Sequence, residues 1–168
     1  MRRLILLRHA KSSWDDESLP DFDRPLAARG ERDAPRIAQR LSEHAPLPTL
    51  LLASPAARAL RTAELVAPQL GIASDRVRTH PDLYLAAPRT LLAVVAELAR
   101  DEPCILLVAH NPGLTELANE LLPSLELGNL PTAGVVAIDA ETDDWPLFAR
   151  AERRLAFYDF PKNTGAVS

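Results

Sequence analysis

The apolar positions of this 168-residue chain fall into short unbroken runs separated by longer segments with helical spacing. Leu4, Ile5, Leu6 and Leu7 form the first run, and 104–109 forms another. Four to six apolar residues in succession suit strands covered on both faces. A third short run over 49–53 reads the same way, and 77–79 reads as an edge strand. Between these runs the spacing changes. Ala34, Ile37, Ala38 and Leu41 recur at i, i+3, i+4 and i+7, which predicts a helix within 27–43. Pro35 interrupts it, so either the helix starts near Asp33 or it kinks at the proline. Ser54-Pro55 predicts a helix start, with serine as cap, and Gly71 a stop near Leu70. Further helices are expected over 88–100 and 112–122. The last third reads as strands over 134–139, 146–150 and 154–158, the first two paired as a hairpin.

Alternating strands and helices over the first 122 residues argue a three-layer α/β/α sandwich with a mostly parallel sheet. The terminal strands add an antiparallel portion. The length suits one domain, read as 1–160, with 161–168 as a tail. The polar stretch 11–25 is long for a loop, and long ordered loops usually carry function.

Composition narrows the classes of function. The chain is 47% hydrophobic and 25% charged, the balance of a globular protein, and its net charge is −4. That charge gives no electrostatic case for nucleic acid or an anionic membrane. No apolar run approaches the ~18 residues of a membrane span, so the cytoplasm is the expected location. The single cysteine, Cys104, excludes an intrachain disulfide and reads as a buried structural thiol. Oligomeric state is not legible.

The chemistry collects at strand ends. The first run ends in Arg8-His9, the 104–109 run in His110, and Arg58 lies one turn beyond the strand ending at 53. In open α/β sheets the carboxyl edge of the strands is where ligands bind. Two guanidiniums and two imidazoles at one edge make an anion site, because the planar fork of arginine suits phosphate oxygens. Such a cluster without an acid is costly unless an anion offsets it. The helix expected at 112 adds its positive end. His44 and His80 lack this placement and read as structural.

Arg8-His9-Ala10-Lys11-Ser12 resembles the Arg-His-Gly signature of the histidine phosphatase (phosphoglycerate mutase-like) superfamily, with Ala10 in place of glycine. Ser54-Pro55-Ala56-Ala57-Arg58-Ala59 with Thr62-Ala63 resembles the second motif of that family, and His110-Asn111 the third. Pro25-Leu26 followed by Gly30 is similar to the intervening pattern. The short chain and the Arg-His-Ala-Lys-Ser form resemble the SixA-type branch, the phosphohistidine phosphatases. The resemblance implies the phosphoglycerate mutase-like fold, a nucleophilic His9, Arg8 and Arg58 on the phosphoryl oxygens, and His110 completing the pocket. It implies no cofactor and no metal. A nucleophilic His9 has to be neutral, and two adjacent arginines disfavour its protonation.

Larger family members carry an acid, after the third strand, that protonates the leaving oxygen. Here Leu85 falls at that place, and Asp82 lies three residues out of register. General acid help is worth ~100-fold or more to an alkoxide leaving group. An imidazole leaves phosphohistidine more readily, so loss of the acid favours P–N substrates. Three readings follow: a metal-independent phosphatase for protein phosphohistidine; a phosphatase for small phosphate esters with Asp82 as acid; and a phospho-ligand binding module with little turnover. The expected partner is a phosphorylated protein or a small phosphorylated substrate. Lys11, Ser12 and Trp14 are open between pocket and loop roles. Asp21, Asp23 and Arg24 read as a structural ion-pair network, and Thr132, Gly134, Pro161 and Lys162 take no role.

Overall fold

The computed structural model describes residues 1–163. The strands are β1 (Arg2–Arg8), β2 (Leu50–Ala53), β3 (Val77–Thr79), β4 (Cys104–Ala109), β5 (Val135–Ala140) and β6 (Arg153–Asp159). The helices are α1 (Ala28–Leu41), α2 (Ala57–Val66), α3 (Pro88–Ala99) and α4 (Gly113–Leu121). The six strands form one sheet in the order β3-β2-β4-β1-β5-β6. The first four are mutually parallel; β5 runs antiparallel to both β1 and β6.

Strand alternation splits the core into two layers, because successive side chains point to opposite faces. Leu4, Leu6, Leu50, Leu52, Ile105 and Leu107 face one side, where Leu91 and Val95 of α3 and Leu114 and Leu117 of α4 pack against them. Ile5, Leu7, Leu51, Ala53, Leu106 and Val108 face the other, against Ile37 and Leu41 of α1 and Ala63 and Val66 of α2. The chain leaves β1 towards one layer and β4 towards the opposite one. These strands are neighbours, so a crevice opens between their carboxyl ends, at the topological switch point of the sheet.

Four local expectations are corrected. The helix starts at Ala28 and holds Pro35 in its interior, not near Asp33. Its early turns are fixed by contact with the segment after β1. Gly30 lies so close that a Cβ there would stand 2.3 Å from the Lys11 carbonyl, which accepts the Ala27 N–H at 2.8 Å. Ser54 does not cap α2, whose N-cap is Ala56. No strand forms over 146–150; Trp145–Leu147 is a 3₁₀ turn. Trp145 and Phe148, three residues apart, are both buried and stacked with centroids 5.3 Å apart, and the Trp145 indole donates to the Glu102 carbonyl. The hairpin partner of β5 is therefore β6. The expected tail begins held rather than loose, since Arg40 donates to the carbonyl of Pro161; 164–168 lie outside the described residues.

Gly30→Ala is expected to destabilise the protein by about 1–3 kcal/mol, because the obstructing atom is backbone. A urea midpoint unchanged from wild type would show that the loop yields without cost.

Candidate active site

Register brings the two histidines together. Arg8 pairs with Ala109 across β1 and β4, so His9 and His110 leave the sheet side by side. Their ring centroids are 5.2 Å apart. Arg58, in the first turn of α2, reaches the same point, and its Nε donates to His9 Nε2 at 3.3 Å. All four residues named from the strand ends line one cavity of about 240 Å³. Lys11, Ser12, Trp14, Arg24, Leu85, Asn111 and Thr132 complete its walls. A larger hollow of about 350 Å³, bounded by Leu60, Pro68 and Ile72 among others, contains none of these groups.

Hydrogen bonding assigns the proton on His9. Its Nδ1 lies 2.8 Å from the Ala10 carbonyl, an obligate acceptor, so Nδ1 carries the hydrogen and Nε2 keeps its lone pair. The lone pair accepts from Arg58. Burial pushes the His9 pKa down to about 3; the Ala10 bond opposes the shift, and His110, Arg58 and Arg8 add to it. His110 is lowered to about 4, again mainly by burial. Both rings are neutral at pH 7.

His110 Nε2 lies 2.7 Å from Ser54 Oγ, which also accepts the Ala56 N–H. Ser54 therefore orients His110 instead of capping α2. His110 Nδ1 and Arg8 Nε are both buried and without a hydrogen-bond partner among the described residues. A buried polar group in that state costs about 1–3 kcal/mol, and both residues belong to the wall of one cavity. Arg8 is otherwise anchored by a bond from its Nη1 to the Leu130 carbonyl. Burial and the nearby Arg58 charge lower its pKa.

The expected contribution from the start of α4 is reduced. Leu114 N–H is spent on the His110 carbonyl and Thr115 N–H on Asn111 Oδ1.

Asp21, read from the sequence as part of a structural ion-pair network, does pair with Arg24 and also reaches Arg58 in the site. Its carboxylate and backbone carbonyl accept from the two terminal nitrogens of Arg58, at 3.0 and 2.7 Å. Tyr84 Oη donates to the same carboxylate at 2.5 Å, and Arg24 approaches its other oxygen. Led by the Tyr84 bond, these contacts hold the Asp21 pKa down to about 2. Tyr84 also sets its ring edge-on to His110, centroids 5.5 Å apart. Arg24 is buried, bonds Ser12 Oγ, and lies 3.5 Å above the Trp14 ring. Its position just before Pro25-Leu26 was the only sequence signal for its place in the site. Leu85 lines the cavity, whereas Asp82 does not: its carboxylate lies 3.9 Å from His80 Nδ1, on an exposed turn. His44 stacks on Phe157, away from the cavity lining.

A doubly wound sheet with a basic, histidine-bearing pocket at its switch point defines an α/β protein built to hold an anion. The family model for the histidine phosphatase superfamily (branch 1) matches residues 4–84. The chain is 41% identical over 128 residues to an uncharacterised chloroplastic protein of Arabidopsis thaliana, covering 71% of this chain and spanning 59% of that protein's length. It is 34% identical over 144 residues to an uncharacterised Picosynechococcus protein, covering 80% of this chain and 83% of the relative. Its fold superposes with a TM-score of 0.79 and 26% identity on a proposed phosphohistidine phosphatase SixA of Agrobacterium tumefaciens, covering 95% and 99% of the two chains. The protein belongs to the histidine phosphatase superfamily, whose members are phosphatases or mutases. Among the described residues no helix is long and apolar enough to cross a membrane.

Proposed function

We propose that this protein is a phosphatase that passes a phosphoryl group through His9, with protein phosphohistidine as its substrate. One observation carries the reading. Arg8, Arg58 and His110 line one cavity with His9, whose Nε2 keeps its lone pair beneath the Arg58 Nε–H. A phosphoryl group offers oxygens to the two guanidiniums, and its phosphorus to that lone pair.

The proton inventory is consistent with this. Ser54 Oγ accepts from Ala56 N–H and has its own hydrogen to give to His110 Nε2. His110 Nδ1 then carries the ring hydrogen. Arg58 Nε–H covers His9 Nε2. When a phosphoryl oxygen takes that hydrogen bond, the lone pair becomes available. His9 Nε2 then forms its bond to phosphorus while the bond from phosphorus to the substrate nitrogen breaks; with the other ring nitrogen of the substrate already protonated, that nitrogen keeps the bonding pair and a neutral imidazole leaves. Water attacks the phosphoryl-His9 intermediate, releasing orthophosphate and restoring the neutral ring. Arg8 and Arg58 offset the charge on the equatorial oxygens, a task for which pre-placed donors are effective. These steps need no metal, and among the described residues no group of three metal-ligating side chains is assembled.

Leu85 supports a P–N substrate. It is the residue that the family resemblance sets in the place of the acid, and it lines the cavity whereas Asp82 does not. The reading of Asp82 as acid therefore has no geometric support. The SixA protein from Agrobacterium, proposed to be a phosphohistidine phosphatase, agrees with the same choice.

The test is a trapped intermediate. Wild-type protein is mixed with phosphohistidine peptide labelled at phosphorus and quenched in alkali. Acid-labile label on His9 is expected. Full turnover without label, or full turnover in His9→Ala, defeats the proposal, and stoichiometric binding without turnover promotes the binding-module reading. Leu85→Glu is expected to raise the rate on an alkyl phosphate such as glycerol phosphate by about 100-fold while leaving the phosphohistidine peptide the poorer gainer. Equal small effects on both substrates would show that position 85 does not face the leaving group.

A further inference from the structure

The cavity wall is polar, but its mouth is not. Trp14 is 65% exposed, Leu85 53% and Phe22 38%, and these are half of the six large hydrophobic side chains exposed among the described residues. Trp14 and Leu85 line the cavity itself. Phe22 packs edge-on to Tyr84 with centroids 5.0 Å apart, and Tyr84 in turn meets His110. Apolar exposure concentrated around one opening marks an interaction surface.

Each of these groups is held in place. The Trp14 ring is clamped beneath the buried Arg24 guanidinium, at 3.5 Å. Leu85 has φ +50°, a left-handed conformation that is unusual for a bulky side chain and is sustained only where the surroundings impose it. Pre-set aromatic and aliphatic surfaces lose little conformational freedom when a partner covers them. A small hydrophilic phosphate ester would occupy the polar floor and leave this rim in water. A polypeptide reaching past the phosphorylated side chain would cover it.

Charge adds a second criterion. Asp15, Asp16 and Glu17 follow Trp14 directly, are exposed, and form no ion pair among the described residues. They favour a basic neighbour and disfavour a second acidic group on the substrate.

We infer that the mouth of the His9 cavity is a docking surface for a protein segment that presents the phosphorylated histidine between apolar and basic side chains. This inference rests on the phosphohistidine reading above and extends it from the reacting group to its flanks. Trp14, Phe22 and Leu85 receive the apolar flank, and the 15–17 segment receives the basic one.

Two peptides containing phosphoryltriazolylalanine, a stable analogue of phosphohistidine, test it on the wild-type protein. One places Leu and Lys around the analogue, the other Ser and Glu. Calorimetry is expected to show the Leu/Lys peptide binding about tenfold more tightly or better. Its binding should also shift the Trp14 emission to the blue, with the buried Trp145 as a constant background. Leu85→Asn is expected to bring the two affinities close together without disturbing the backbone, since asparagine adopts the left-handed region readily. Trp14→Ser should do the same. Equal binding of the two peptides to wild type overturns the inference, as does a preference that survives both substitutions. Inhibition by p-nitrophenyl phosphate as tight as by the Leu/Lys peptide also overturns it, in favour of a small aromatic leaving group. The phosphohistidine versions of the same peptides separate the two levels. A binding preference without hydrolysis leaves docking standing and removes the phosphatase reading. Hydrolysis of both at the same kcat/KM leaves the chemistry standing and removes docking.

Discussion

His9→Ala is expected to lower turnover of a phosphohistidine peptide by about 10⁴-fold or more, the scale on which loss of a nucleophile acts. The substitution removes the only lone pair in the cavity that Arg58 already covers with an N–H. It should leave the Ser54 contact to His110 intact, so phosphate binding is expected to survive better than turnover. A comparison of kcat with the affinity for inorganic phosphate checks this. A parallel loss of both would point to collapse of the pocket.

The acidity of the two rings gives the same prediction a pH signature. With His9 held down to about 3 and His110 to about 4, both stay neutral through the range in which an ordinary histidine titrates. The kcat/KM profile, once the substrate's own phosphoryl titration is divided out, is expected to be flat between pH 5 and 8. A step near pH 6.5 would contradict a desolvated His9. Stability should move differently. The unfolded chain binds protons on these histidines as pH falls through 6.5, whereas the folded chain does not until the lower values are reached. Folding therefore weakens as pH falls from about 6.5 towards 4. Asp21, lowered to about 2 in the folded chain, adds to the loss only below about pH 5, where the unfolded chain begins to protonate it. Urea midpoints at pH 7 and pH 4.5 measure the sum.

Arg58→Ala carries the second large effect, an expected loss of about 10²–10³-fold in kcat. Arg58 is 3% exposed and its guanidinium holds three acceptor atoms on two residues, with Nε towards His9 and its two terminal nitrogens on Asp21. Arg58→Lys is expected to recover little of the loss, because one ammonium cannot face His9 and hold Asp21 with a planar fork at once. Near-complete rescue by lysine would mean that position 58 supplies only charge. The Asp21–Arg58 ion pair places a half-exposed carboxylate on a buried cation, so thermal stability of the alanine variant is a necessary companion measurement.

The sheet and its helices were largely legible because burial on two faces writes itself as unbroken apolar runs, as in 4–7 and 104–109. The site was legible where a motif sat at a strand end. Errors arose where one residue type serves two purposes. Ser54 before a proline is a good cap by local rules, but a tertiary partner, His110, claims its hydroxyl. Trp145-Pro146-Leu147-Phe148 resembles a strand by composition, yet its aromatics are buried at a spacing of three. Pro35 looks like a helix breaker until the contact of Gly30 with the Lys11 carbonyl fixes the helix upstream of it.

The sequence alone determined the number and order of the main α/β elements in the first two thirds of the chain, and delivered Arg8, His9, Arg58 and His110 to strand or helix ends. Those features are local and repeat with the period of the backbone. Only the tertiary structure decided that β4 lies between β1 and β2, because strand order depends on pairing between residues about a hundred positions apart. That pairing sets His9 beside His110. It also brings Asp21 and Tyr84 from two separate loops onto Arg58. The feature at the centre of the molecule, a neutral histidine with its lone pair beneath a buried arginine, is a product of that convergence.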